Sequence, residues 1–145
     1  MSWFPDLGRE CMIATGDHVR AIGWLHPDHP HPHGPVPAEC LAKLKEFARL
    51  AGHCPEALYI GICMGFHTCE FCEKTHGHRN FGVPAGELLY MAPEMVAHYV
   101  EQHRYCPPAE FLAAVMASPL PGTPEYMAVA SGFRQIHQQQ LEKMA

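Results

Sequence analysis

The chain has 145 residues, with 10 Lys+Arg against 15 Asp+Glu for a formal net charge of -5, and 48% hydrophobic against 17% charged residues. This length suits one domain over residues 1–145, and the apolar fraction excludes disorder as the overall state. The acidic balance without a basic run argues against nucleic acid as a partner, because phosphate neutralisation needs clustered Lys and Arg.

In chain order, residues 19–25 read as a short strand. Residues 26–37 carry His26, His29, His31 and His33 among five of the chain's 14 prolines. Proline removes donors and disfavours a helical predecessor, so this is an extended, solvated loop. A helix over 38–51 follows from the spacing of Leu41, Leu44, Phe47, Ala48 and Ala51, with Gly52 as its stop. Residues 57–62 read as an apolar, buried-type strand. Residues 79–83 and 87–91 can pair as a hairpin across Pro84-Ala85-Gly86. Pro93 opens a helix to about His103, since proline fits a first turn. Pro107-Pro108 breaks the chain before a helix over 109–117. Thr123 caps a tail helix over about 123–145, with Pro124 at its first position. Its apolar face is Tyr126, Val129, Ala130, Phe133 and Ile136, and the glutamines at 138–140 suit a solvated end. The fold class is α+β: a small, mostly antiparallel sheet with C-terminal helices. No apolar stretch approaches the ~20 residues of a spanning helix, and the first residues lack a signal-peptide pattern. A cytoplasmic protein without a membrane partner is expected.

The chemistry lies in the 12 histidines and 7 cysteines. In a reducing compartment an odd cysteine count points to free thiols and a metal site, not a disulfide framework. The strongest signal is His67-x-Cys69-x-x-Cys72. Two cysteines three apart can turn both thiolates onto one centre, and zinc takes Cys and His at tetrahedral corners. A knuckle followed by a hairpin and a helix resembles the treble-clef style of zinc site, in which the helix returns ligands to the knuckle. On that helix, His98 is the better partner. His98 and His103 are five apart and so point about 140° away from each other on a regular helix, which leaves His103 as a core-facing ring. The expected ligands are therefore His67, Cys69, Cys72 and His98, with His76 and His78 in reserve. Zn2+ is the expected ion, although iron or copper would also suit thiolates.

Other residues have plainer readings. Cys11, Cys40, Cys54, Cys63 and Cys106 read as small buried hydrophobes. Glu70, Glu73, Glu94 and Glu101 read as solvated face. The four loop histidines suit Cu(II), Ni(II) or Zn(II), but a flexible loop loses entropy on closing around an ion.

The run Gly65-x-His67-x-Cys69-Glu70-x-Cys72, then Ala92-Pro93, His98-Tyr99, His103-x-Tyr105-x-Pro107-Pro108 and Glu110-Phe111, resembles a small uncharacterised bacterial protein family. Ile22-Gly23-Trp24-Leu25 belongs to the same resemblance, which spans roughly residues 20–120. It implies that His67, Cys69, Cys72 and His98 act as one unit, and it implies no activity. Three functions follow. The first is a structural zinc domain that supports contact with a protein partner. The second is a metalloenzyme with one open coordination position and Glu94 or Glu70 as base. The third is a metal chaperone or sensor that uses the loop histidines.

Overall fold

The structure is a computed structural model that describes residues 3–12, 14–51 and 67–144. The elements run β1 (Val19–Ala21), α1 (Ala38–Ala51), β2 (His67–Thr68), β3 (His76–Gly77), β4 (Asn80–Ala85), β5 (Leu88–Pro93), α2 (Val96–His103), α3 (Ala109–Ala117) and α4 (Pro124–Met144). The fold is α+β, as the sequence predicts. The strand expected at 57–62 lies outside the described residues.

β5 is the central strand of a three-stranded sheet ordered β1-β5-β4. Leu89, Tyr90, Met91 and Ala92 are all buried, because a covered central strand reads as an apolar run and not as an alternation. β4 pairs with it antiparallel, with Phe81 opposite Ala92 and Ala85 opposite Leu88. The turn is thus Gly86-Glu87, further along than the expected Pro84-Ala85-Gly86. Gly86 has φ 60°, a conformation that glycine adopts without cost and that two-residue hairpins need. Pro84 sits inside β4, where the edge position tolerates its missing donor.

β1 pairs with β5 in parallel, Val19 opposite Leu89. The sheet is therefore mixed: the β4–β5 pairing, like the separate β2–β3 pair, is antiparallel, as the sequence predicts for most of the sheet, and β1–β5 is the parallel one. A parallel pair needs a long crossover, and the chain between β1 and β5 supplies one. β1 is also shorter than residues 19–25. Gly23 takes φ 75° and donates its N–H to Asp6 Oδ1 at 3.0 Å, which ends the strand. Trp24 then turns back under β5, and its indole N–H reaches the Met91 carbonyl at 3.0 Å.

α1 buries Cys40, Leu44, Phe47 and Ala51 and packs on β4, α2 and α3. Phe47 stacks on Phe81 with ring centroids 5.4 Å apart. α2 starts at Val96, later than expected, because β5 continues through Pro93. α3 matches its expected bounds and buries Phe111 and Val115. In α4, Thr123 Oγ1 accepts the Tyr126 N–H at 3.2 Å. Tyr126, Ala130 and Phe133 are buried, but Val129 (41%) and Ile136 (36%) are exposed, so its core face is narrower than the apolar pattern suggests. Among the described residues no helix is long and apolar enough to cross a membrane.

Candidate metal centre

The knuckle is built by backbone bonds. β2 and β3 pair His67 with Gly77 and Thr68 with His76, and they bracket a tight turn that carries both cysteines. The Cys69 N–H donates to the Thr75 carbonyl at 2.8 Å, and the Glu73 N–H to the Cys69 carbonyl at 2.7 Å. Glu73 takes φ 59° to close the turn. Glu94, just before α2, fixes the exit: its Oε1 accepts the His78 N–H at 2.7 Å and the Arg79 N–H at 3.2 Å.

Across from the knuckle lies α2. Cys69, Cys72, His98 and His103 form a group whose ligand atoms all lie within 4.8 Å of one another, so the group could hold a metal ion. Cys69 Sγ is 3.4 Å from His103 Nε2, Cys72 Sγ is 3.4 Å from His98 Nε2, and the two Nε2 atoms are 3.2 Å apart. A tetrahedral ion about 2.3 Å from sulfur and about 2.05 Å from nitrogen would set N–N edges near ~3.3 Å and S–N edges near ~3.5 Å. The three separations match those edges.

Three of the four expected ligands, Cys69, Cys72 and His98, are brought together. His67 contributes its backbone to β2, and its side chain lies outside the described residues. The fourth member of the group is His103, which the regular-helix projection turns away from His98. The helix end explains the difference. The Arg104 N–H, at φ 57°, bonds to the Tyr99 carbonyl five residues back. That widens the last turn, and in a wider turn residues five apart swing toward the same side.

The electrostatics suit ligation. Burial lowers the pKa of His98, with the neighbouring His103 adding to it. Burial also lowers His103, with His31 adding to it. Both shifts favour the neutral ring, the form in which histidine ligates a metal. Cys69 is fully buried, and burial pushes its thiol up, opposed by hydrogen bonds from the Cys72 and Phe71 backbone. Cys72 is half-buried, and the Lys74 backbone N–H leads in drawing its thiol down.

The remaining histidines and carboxylates have other occupations. His76 shares a hydrogen bond with Thr68 Oγ1 at 2.9 Å, and His78 Nδ1 lies 3.9 Å from Glu94. Glu70 is not a free face residue, because its carboxylate meets His26 Nε2 at 2.9 Å. The proline–histidine loop is not wholly solvated either. The Cys106 N–H donates to the Pro32 carbonyl at 2.9 Å, and the Gly34 N–H to the Arg104 carbonyl at 3.2 Å. His31 packs edge-on against Phe71 and Tyr105. Cys11 and Cys40 are buried as expected, Cys106 is half-buried, and Cys54 and Cys63 lie outside the described residues.

Residues 2–116 match a family model described as Domain of unknown function (DUF7919), and the chain belongs to that family. The matched stretch contains the loop, the knuckle and the four-residue group, while α4 lies beyond it. No curated protein matches the chain, and no solved structure does.

Proposed function

We propose that the protein is a zinc-binding protein in which Cys69, Cys72, His98 and His103 hold one ion that fastens the knuckle to α2. The observation that carries this reading is the set of S–N and N–N separations, 3.4, 3.4 and 3.2 Å, which fit three of the six edges of a tetrahedral Cys2His2 site. Zinc fits best because it has no geometric preference against a tetrahedron and accepts mixed thiolate and imidazole ligands. Two thiolates cancel its charge, and four protein ligands leave no position for water. This favours a structural role over a metalloenzyme. The two carboxylates that could act as base also have partners: Glu94 on two backbone N–H groups and Glu70 on His26. With no chemistry at the ion, the scaffold would act through a protein partner, and the exposed Val129, Ile136 and Leu141 of α4 support that use.

The test is metal analysis of the purified chain. One zinc per chain is expected, with a tetrahedral spectrum after cobalt substitution. Cys69→Ser and His103→Ala should each lose stoichiometric zinc, while His67→Ala should keep it. Zinc retained in both of the first two variants would sink the assignment. Stoichiometric iron or copper in place of zinc would overturn the metal's identity. Loss of zinc in His67→Ala alone would replace His103 with His67.

A further inference from the structure

The four members of the group are not equally sheltered. Cys69 is fully buried beneath the knuckle, whereas Cys72, His98 and His103 line the wall of an open cleft of about 660 Å³. Lys45, Lys74, Thr75, Ala97, Glu101 and Gln102 form the rest of that cleft. A small solute entering it reaches the Cys72 sulfur first. The Cys69 sulfur lies behind, within 4.8 Å of Cys72 Sγ and three residues away in a turn that already brings both side chains to one side. The cleft also carries the Lys45 and Lys74 ammonium groups, one of them paired to Glu101, so its mouth does not repel an anion leaving the site.

We propose that Cys72 is a peroxide-modification site, and that Cys72 with Cys69 forms a thiol–disulfide pair whose oxidation releases the metal. The proposal rests on the zinc reading given above. Metal-bound thiolates are already deprotonated, which is the nucleophilic form. The Cys72 thiolate attacks one oxygen of a hydroperoxide. An S–O bond forms, the O–O bond breaks, and hydroxide (or alkoxide) leaves, which gives a sulfenic acid. The Cys69 thiolate then attacks the Cys72 sulfur. The S–S bond forms, the S–O bond breaks, and a second hydroxide leaves. Two electrons pass from the two thiolates to the peroxide. The ion loses both sulfur ligands and is left on two neutral imidazoles, which hold it far less tightly. Its departure unties α2 from the knuckle, and a dithiol reductant with zinc reverses the sequence.

The experiment uses the full-length zinc-loaded chain, hydrogen peroxide as oxidant, a chromogenic zinc chelator to follow release, and peptide mass mapping. One equivalent of zinc should appear as the Cys69–Cys72 peptide loses two hydrogens. A sulfenic-acid trap added during the reaction should label Cys72 and not Cys69. Gln102→Trp narrows the cleft without altering a ligand. It should keep its zinc and release it severalfold more slowly. If the chain holds no stoichiometric metal before oxidant is added, the zinc reading and this proposal both fall. If zinc is present but stays bound while other cysteines oxidise, or if the trap labels Cys69 first, only this proposal falls. Release from Gln102→Trp at the unaltered rate would also overturn the route through the cleft.

Discussion

Gly23 shows how much one residue can carry. A Cβ built on it would lie 2.8 Å from Val96 Cγ2, at a φ of +75°. Gly23→Ala therefore meets both a clash at the start of α2 and a backbone conformation that L side chains resist. Strain of this kind costs about 1–3 kcal/mol, so a melting temperature several degrees lower is expected by calorimetry. Glu94→Ala should cost a similar ~1–3 kcal/mol, because it leaves the His78 and Arg79 N–H groups without their acceptor. Tyr90 contributes to the alkaline limit, alongside Tyr99 and Tyr105, whose pKa values burial also raises. Burial, and next the Glu110 carboxylate that accepts the Tyr90 hydroxyl at 2.6 Å, push the Tyr90 pKa from 10.0 up to about 12. A group whose folded pKa is raised holds its proton longer in the native state, so its contribution is complete below pH 10 and lost as pH rises toward 12. Denaturant midpoints should fall over that window, and Tyr90→Phe should flatten part of the slope. His31 is instructive in another way. Its Nε2 is buried with no hydrogen-bond partner among the described residues, although its neighbours in sequence read as solvent-facing.

At the level of elements, legibility followed periodicity. α1 repeats its apolar residues at helical spacing and Pro107-Pro108 marks where α3 begins, so both sets of bounds are legible. β2 and β3 are two residues each, too short to leave any alternation that would mark them as strands. The CxxC pair and His98 were readable because spacing and helix placement decide them. His103 was not, because a wheel with fixed rotation has no way to register the widened last turn at Arg104. The parallel pairing of β1 was hidden for a different reason: register across a long crossover is a tertiary property. The shortness of β2 and β3 also yields an expectation. An isolated two-stranded pair is marginal in water, so the zinc proposal makes the knuckle dependent on its ion. Removal of zinc by a chelator should strip amide-exchange protection from residues 67–78 first. The amides of β4 and β5, anchored in the apolar core, should stay protected under the same conditions.

For the molecule as a whole, the same argument orders its parts by stability. The core around Trp24, Phe47, Phe81, Leu89 and Phe111 is fully buried, and of the metal group only Cys69 belongs to it, with Cys72 packed against its edge. The chelated chain should therefore keep most of its far-ultraviolet circular dichroism while melting at a lower temperature. Full unfolding on chelation would show instead that the apolar core cannot stand without the ion.

The spacing of the ligands has a kinetic consequence. Cys69 and His103 are 34 residues apart in sequence, with the β4–β5 hairpin between them. In an unfolded chain of that length the two ends lie about 40 Å apart on average, and a metal ion arriving early would meet only the two thiolates. The tetrahedron becomes available once the hairpin has closed and α2 has docked. If the group binds zinc as proposed, tight capture is a late event in folding, and the time course of zinc uptake during refolding should serve as a clock for hairpin formation.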